Sequence, residues 1–155
     1  MRRQDRAVTD RTMLADIIRE ADVCRIAFAD GGIPYIVTLN FGYVWDEQLA
    51  LYFHCARTGR KLELMDKNSS VCFSMDTGHE LHTGATACEW GMSYRSIVGY
   101  GRLSRVVDAA ERIRGLDLIM DHYGYAGSRH YDEKTVAAAE VLRLDVHEMT
   151  GKKKP

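Results

Sequence analysis

The sequence predicts a mainly β fold (α+β), in which about six short antiparallel strands form a barrel and helices lie at its periphery. Two observations predict the strands. Short segments either alternate apolar and polar residues or form brief apolar runs, and glycine- or proline-containing turns separate several of them. A third observation predicts the helices, since other segments carry apolar residues at helical spacing. Many short strands with peripheral helices are typical of closed or partly open barrels, and this pattern alone leaves the barrel type open.

The first predicted element is a helix over about residues 10–21. Apolar residues recur there at helical spacing between Thr12 and Ala21, and either Thr9 or Asp10 is suited to cap its N-terminus.

A β-hairpin is predicted to follow this helix. Cys24–Phe28 alternates with period two, and the turn at Asp30–Gly32 contains two glycines that tolerate positive φ angles. The return strand runs from Pro34 to Asn40, with proline at its first position, where a missing N–H is tolerated.

The middle of the chain is predicted to contain two more strands and a short helix. After a turn at Asp46–Gln48 come a strand over Leu49–His54, a helix over Gly59–Lys67 and a strand over Val71–Met75. The polar stretch Thr77–Cys88 is predicted to be a long loop.

The C-terminal part is predicted to hold a long strand, two helices and a last strand. Tyr94–Val106 is the long strand, and Gly99 and Gly101 are its expected bulge or bend positions. Asp108 and Glu111 form a predicted capping box for the next helix. Its expected buried face consists of Ile113, Leu116, Ile119 or Met120, and Tyr123. A short helix over Glu133–Ala139 and a strand over Val141–Val146 complete the predicted fold.

Length and composition predict one soluble domain over residues 1–155. A net charge of -1 gives no reason to expect binding to nucleic acid, and no apolar run is long enough to predict a membrane span. The charged runs Met1–Arg6 and 151–155 are expected to be solvated ends. Four cysteines without CxxC spacing, together with the lack of an apolar signal segment, predict reduced thiols and a cytoplasmic protein.

The segment His54–Lys61 carries the most informative chemistry, because it follows a strand and opens a helix. Gly59 allows close backbone approach, and Arg60 and Lys61 add two cations at the helix start, which favours a phosphate site. The alternative interpretation is a solvated helix face, which charge clusters commonly form. The spacing matches no nucleoside-triphosphate-binding loop.

Five segments resemble the pyridoxamine-phosphate-oxidase-like flavoproteins, and more closely their nitroimidazole-resistance branch: Pro34–Tyr43, Leu51–His54, Gly59–Leu62, Ala87–Gly101 and Leu142–Lys152. They follow one another in order over nearly the whole chain. The resemblance implies an FMN-binding split β-barrel that works as a homodimer, with each flavin held by both subunits.

The resemblance also implies the residues that bind the cofactor. They are Pro34, Val37, Thr38, Leu39, Asn40, His54, Cys55, Ala56, Arg60, Lys61, Tyr94, Arg95 and Ser96. The strand Pro34–Asn40 supplies backbone groups along the isoalloxazine edge, chiefly near Val37, Leu39 and Asn40. His54, Cys55 and Ala56 end the neighbouring strand under the ring, and Arg60 and Lys61 hold the phosphate. Tyr94, Arg95 and Ser96 come from the partner subunit. His54 either contacts the substrate as the catalytic residue or is a half-buried structural histidine, and both interpretations stay open.

The function that the resemblance implies is an FMN-dependent oxidoreductase that reduces small flat acceptors such as nitroaromatics, with NAD(P)H as one candidate electron donor. The alternative is a flavin- or haem-binding module without turnover of its own, because a fold does not determine a function. His79, His82 and Cys88 could suggest a metal site, but their spacing is poor for zinc and no metal is predicted.

Overall fold

The computed structural model describes residues 3–155, except for the side chains of residues 133 and 137. Met1 and Arg2 of the N-terminal charged run therefore lie outside the described residues. The strands are β1 Ala7–Val8, β2 Cys24–Asp30, β3 Ile33–Leu39, β4 Gly42–Trp45, β5 Leu49–Ala56, β6 Ser70–His82, β7 Gly91–Arg105 and β8 Ala139–Lys154. The helices are α1 Arg11–Glu20, α2 Arg60–Lys67, α3 Ala109–His122 and α4 Glu133–Ala138, with short 3-10 turns at Gln4–Arg6 and Ala87–Glu89.

All strands belong to one antiparallel sheet in the order β3-β2-β6-β7-β8-β5-β4, and β1 pairs with β8. β3 and β4 are joined by only Asn40 and Phe41, yet they lie at opposite ends of this order. The sheet is therefore not closed, and its two free edges belong to consecutive strands. This arrangement confirms the predicted split barrel.

The inner face of the sheet holds the main core, as the alternation of β2 predicts. Cys24, Ile26 and Phe28 are buried, whereas the residues between them are more exposed. The buried residues of α1 and α2 pack into the same cluster. Burial of these apolar side chains is the main favourable contribution to folding.

α3 covers part of the outer face and creates a second, smaller core. Ala50 and Tyr52 on β5 pack there with Val106 and Val141. β5 is therefore buried on both faces from Leu49 to Phe53.

The α3 N-terminus confirms one half of the predicted capping box. The Asp108 side chain accepts a hydrogen bond from the Glu111 N–H at 2.8 Å. The Glu111 carboxylate instead accepts hydrogen bonds from Tyr52 and Arg143, at 3.0 and 2.7 Å, and so ties α3 to β5 and β8. The buried positions of α3 are Gly115 and Ile119, whereas the predicted Tyr123 is exposed.

Two glycine predictions are confirmed. Gly31 and Gly32 have φ angles of 58° and 91° and form the two-residue turn between β2 and β3, as primed hairpin turns require. The register of β7 and β8 shifts between Tyr100 and Gly101. A Cβ atom at Gly101 would lie 2.3 Å from the Asp145 carbonyl oxygen, so only glycine fits at this bulge.

The structure corrects two predictions about polar segments. Residues 77–82 were expected in a loop but extend β6, and the last strand was expected to end at Val146 but continues to Lys154. Both segments pair with the long strand β7. Cross-strand hydrogen bonding stabilises these strands despite their polar composition. β4 was not predicted as a separate strand and forms because it pairs with β5.

Among the described residues, no helix is long and apolar enough to cross a membrane. The four cysteines are free thiols.

Candidate functional site

The edge strand β3 carries the first group of predicted site residues. Val37 and Leu39 are half-buried and pack against the core, whereas Pro34, Thr38 and Asn40 are exposed. Proline in an edge strand has its missing N–H directed away from the neighbouring strand. Because β3 pairs with β2 without interruption, Ile36 and Thr38 have the same backbone orientation as Pro34 and direct their N–H and C=O groups to the free edge. The backbone groups of Val37 and Leu39, which the resemblance implies for the isoalloxazine edge, instead face β2.

The start of α2 carries the second group, and its backbone geometry suits an anion. Gly59 has a φ of 133°, which lies in the region that favours glycine, and no side chain caps the helix. The Leu62 N–H donates to the Gly59 carbonyl at 3.0 Å, so the amides of Arg60 and Lys61 precede the helical hydrogen-bond ladder. Free amides and a positive helix end attract anions.

Arg60 connects α2 to the β2–β3 hairpin. Its Nη2 donates to Asp30 Oδ2 at 2.9 Å, and its Cζ lies 4.7 Å from the centre of the Tyr35 ring. The phosphate-binding segment and the edge strand that the sequence predicted are therefore adjacent. The Arg60 side chain is 54% exposed, so it is accessible to a ligand.

The end of β5 lies beside the start of α2. His54 and Ala56 are exposed, and Cys55 is half-buried against the core. Burial raises the pKa of the Cys55 thiol, and the neighbouring Lys61 ammonium partly opposes that rise. The thiol is therefore mainly protonated at neutral pH, and this chemistry gives it no role as a nucleophile.

A buried carboxylate supports this end of the sheet. Glu140 lies opposite Cys55 in the β5–β8 register, and it is 8% exposed. Its oxygens lie 3.5 Å from Arg112 Nη1 and 3.8 Å from Arg105 Nε. Arg112 also donates to the carbonyl groups of Val136 and Ala139, at 3.0 and 2.6 Å. These contacts join α3 to the start of β8, next to the site.

Tyr94, Arg95 and Ser96 form the third group, on β7. The Lys152 ammonium lies 5.3 Å from the centre of the Tyr94 ring, and its hydrogen bond lowers the pKa of the Tyr94 phenol. The Arg95 guanidinium pairs with Glu20 of α1 within the same chain. Ser96 lies opposite Lys152 in the β7–β8 register.

Tyr94 lies far from the start of α2 within one chain. Ala27, Cys72 and Tyr100 are level with one another across β2, β6 and β7. Tyr94 lies six residues from this level and Asp30 lies three residues away on the opposite side. Tyr94 and Asp30, the partner of Arg60, are thus about 30 Å apart along the strand direction. Thr38 of β3 is level with Val98 of β7, only two residues from Ser96, and β2 and β6 lie between them.

The outer face of β3, β2, β6 and β7 links the groups. Pro34, Thr38, Tyr94 and Ser96 share this face, which lies outside the cover of α3 on β4 and β5. It contains a groove of about 480 Å³ with a mainly apolar lining. The groove is lined by Ala27, Phe28, Ala29, Gly32, Ile33, Pro34, Ser70, Val71, Cys72, Tyr100, Gly101 and His147. Exposed Ile36, Val98 and Tyr100 continue the apolar surface.

The histidines of the predicted loop take part in local polar contacts. His79 Nε2 lies 2.8 Å from Asp76 Oδ2, and His82 bonds to Ser93. No group of three or more potential metal ligands occurs among residues 3–155 as described.

The profile of the pyridoxamine 5′-phosphate oxidase family matches residues 10–153. The chain belongs to this family. No curated protein matches the chain.

Solved structures agree with membership of the pyridoxamine 5′-phosphate oxidase family. A candidate 5-nitroimidazole antibiotic resistance protein from Bacteroides thetaiotaomicron is 32% identical, with a TM-score of 0.82, over 95% of this chain and 86% of that one. A flavocytochrome from Azotobacter vinelandii is 18% identical, with a TM-score of 0.83, over 100% and 72% of the two chains. An FAD and haem binding protein from Mycobacterium smegmatis is 21% identical, with a TM-score of 0.83, over 96% and 73%. The last two show the shared fold alone.

Sequence reasoning missed four contributors to the site of this family member. Asp30 and Tyr35 contact Arg60, Ile36 shares the free-edge parity of Thr38, and Lys152 contacts Tyr94. Pro34 was the available signal for Ile36. Since a proline in an edge strand has its nitrogen at the free edge, it indicates that Ile36, two residues later, also directs its backbone groups there. No local pattern links Asp30, Tyr35 or Lys152 to its partner, because the strand pairing and the packing of α2 create those contacts.

Proposed function

We propose that the protein is an FMN-dependent oxidoreductase that reduces small flat acceptors such as nitroaromatics. The observation that carries the proposal is the cationic start of α2 beside the free edge of β3. Arg60 and Lys61 lie next to amides that precede the helical ladder, and Arg60 contacts both Asp30 and Tyr35 of the hairpin. The start of α2 suits a phosphate, and the free edge of β3 suits a flat ring with polar edges.

The residues of this chain have distinct tasks in the proposed site. Arg60 and Lys61 hold the phosphate through charge-assisted hydrogen bonds, and the backbone of β3 orients the ring through its free N–H and C=O groups. Bound FMN supplies the capacity to accept electrons from a donor and to pass them to an acceptor. The protein contributes binding and orientation, and it limits access to the ring.

His54 is the titratable residue that we propose to contact the acceptor. It lies at the end of β5, exposed, two residues beyond the buried Tyr52. An exposed imidazole can exchange a hydrogen bond or a proton with a ligand without the cost of burying a charge.

We also propose a cytoplasmic homodimer in which the partner supplies Tyr94, Arg95 and Ser96. Two facts support this assembly: the separation of about 30 Å along the strands between Tyr94 and Asp30, the partner of Arg60, and the apolar outer face that α3 leaves uncovered. A two-fold dimer would bring residues from opposite ends of two chains together. Four free cysteines suit a reducing cytoplasm.

The acceptor class rests on the relative from Bacteroides thetaiotaomicron, at 32% identity over 95% of the chain. No dinucleotide-binding glycine motif is present in the sequence, so an NAD(P)H donor would bind transiently against the ring.

The proposal is tested by the absorption spectrum of the purified protein, its turnover and its mass in solution. We expect a flavin spectrum, oxidation of NAD(P)H that depends on an added nitroaromatic, and a dimer by light scattering. A haem Soret band would instead support a haem-binding module, and flavin without turnover would support a flavin carrier. A monomer that retains one FMN per chain would contradict the shared site.

A further inference from the structure

Arg60 has an acidic partner on the β2–β3 hairpin. Its Nη2 donates to Asp30 Oδ2 at 2.9 Å, and the Tyr35 ring lies against the guanidinium with its centre 4.7 Å from Cζ. Asp30 is the last residue of β2 and immediately precedes the tight turn at Gly31 and Gly32. The backbone therefore holds the carboxylate at the start of α2.

The Arg60 guanidinium contacts the Asp30 carboxylate and the Tyr35 ring, and only the carboxylate is charged. Tyr35 packs against the core and also lies 6.4 Å from the Phe28 ring, so its position is determined by burial. It can orient Arg60 whether or not Asp30 is ionised. The carboxylate occupies one of the five N–H donors of the guanidinium and neutralises its charge.

A phosphate on Arg60 and Lys61 would meet this carboxylate. A phosphate monoester carries about -1.5 to -2 charges at neutral pH, whereas each phosphate of a pyrophosphate diester carries a single charge. Repulsion grows with the charge held next to the carboxylate and falls with distance, and a pyrophosphate diester spreads its two charges over two phosphates. Riboflavin has no phosphate and would not meet this repulsion.

We propose that Asp30 is a specificity-determining residue, whose carboxylate competes with the flavin phosphate for Arg60 and weakens binding of a terminal phosphate monoester more than that of a diester. This inference rests on the proposed function, because it requires the phosphate to bind at Arg60. It assigns to the hairpin turn a role in the choice between FMN and FAD.

The test is the substitution Asp30→Asn, which keeps a hydrogen-bond acceptor for Arg60 and removes the charge. Dissociation constants for FMN, FAD and riboflavin are measured by flavin fluorescence with the full-length protein. We expect FMN to bind about tenfold more tightly to the variant, which corresponds to removal of one carboxylate near a multiply charged ligand at a partly exposed site. FAD should gain less, and riboflavin should change by less than twofold.

Asp16→Asn is the matched control. Asp16 forms a similar exposed pair with Arg19, at 2.7 Å on α1, so its loss changes the net charge equally at a different place. The control should leave all three dissociation constants unchanged.

A second measurement separates competition from a structural role. In a protein that already carries Arg60→Ala, the Asp30→Asn substitution should tighten FMN binding by much less than tenfold. Circular dichroism checks folding, and Asp30→Ser replaces the asparagine variant if that one does not fold. Weaker or unchanged FMN binding in Asp30→Asn, or an equal gain for riboflavin, overturns the inference while the proposed function stands. A wild-type protein that binds neither FMN nor riboflavin overturns both.

Discussion

The double substitution Arg60→Ala, Lys61→Ala tests where the phosphate binds. Both side chains lie at the uncapped start of α2, and their removal leaves the two backbone amides in place. FMN affinity should therefore fall without being abolished. Riboflavin lacks the phosphate, so its affinity should hardly change.

The exposure of the two side chains sets the expected magnitude. A hydrogen bond to a charged group contributes about 1.5–3 kcal/mol net. The lower end applies to Arg60, because it is 54% exposed and already shares a donor with Asp30. Lys61 is less exposed and lies beside Cys55. Together the two contribute about 3 kcal/mol, which predicts a loss of FMN affinity of about two orders of magnitude or more.

Isothermal titration of the flavin-free protein with FMN and with riboflavin measures this loss. Lys67→Ala is a matched control, because Lys67 lies at the other end of the same helix. An unchanged dissociation constant for FMN in the double variant would refute the placement of the phosphate. An equal loss for riboflavin would show instead that the substitutions disturb the ring site.

Three further substitutions test catalysis, electrostatics and packing, and Gly91→Ala is the control for the third. The His54→Ala variant should keep its fold and its flavin but reduce an acceptor about 10²–10⁴-fold more slowly in steady-state assays. Loss of flavin from this variant would show instead that His54 has a structural role. The hydrogen bond from Arg143, and then that from Tyr52, lowers the pKa of Glu111 from its usual 4.5. The ionised carboxylate therefore stabilises the fold above about pH 4.5, and this contribution is lost as the pH falls through the lowered pKa. In urea unfolding, the free energy of unfolding of Glu111→Gln should be about 1 kcal/mol lower than that of the wild type at pH 7. This difference should disappear in acid, and a difference that stays constant with pH would contradict the prediction. A Cβ atom at Gly42 would lie 2.3 Å from the Ile119 backbone nitrogen, so Gly42→Ala should cost about 2 kcal/mol or more by thermal unfolding. At Gly91 the added Cβ meets only the mobile end of Lys154, and Gly91→Ala should be nearly neutral.

Local patterns were sufficient where a short segment determines its own structure. The Asp10 cap, the two-glycine turn and the alternating burial of β2 follow from side-chain chemistry within a few residues. The same holds for the Asp108 cap of α3. The helix start at Gly59 was predicted from one glycine and the cations that follow it.

Patterns failed where a distant partner decides the conformation. Residues 77–82 and 151–154 are polar, yet they are strands because β7 pairs with both. Tyr52 is fully buried although it alternates with inward-facing residues, because α3 covers the outer face of β5. Sequence periodicity carries no information about such a cover.

The candidate site divides in the same way. The sequence by itself determined the mainly β class, the cationic start of α2 and the residue types that suit a flavin phosphate, because each depends on neighbouring residues. Only the tertiary structure placed Asp30 and Tyr35 on Arg60, gave Ile36 and Thr38 a free backbone edge, and set Tyr94 about 30 Å along the strands from Asp30. These relations depend on strand order and register, which are decided by the packing of the whole chain and by hydrogen bonds between segments far apart in it.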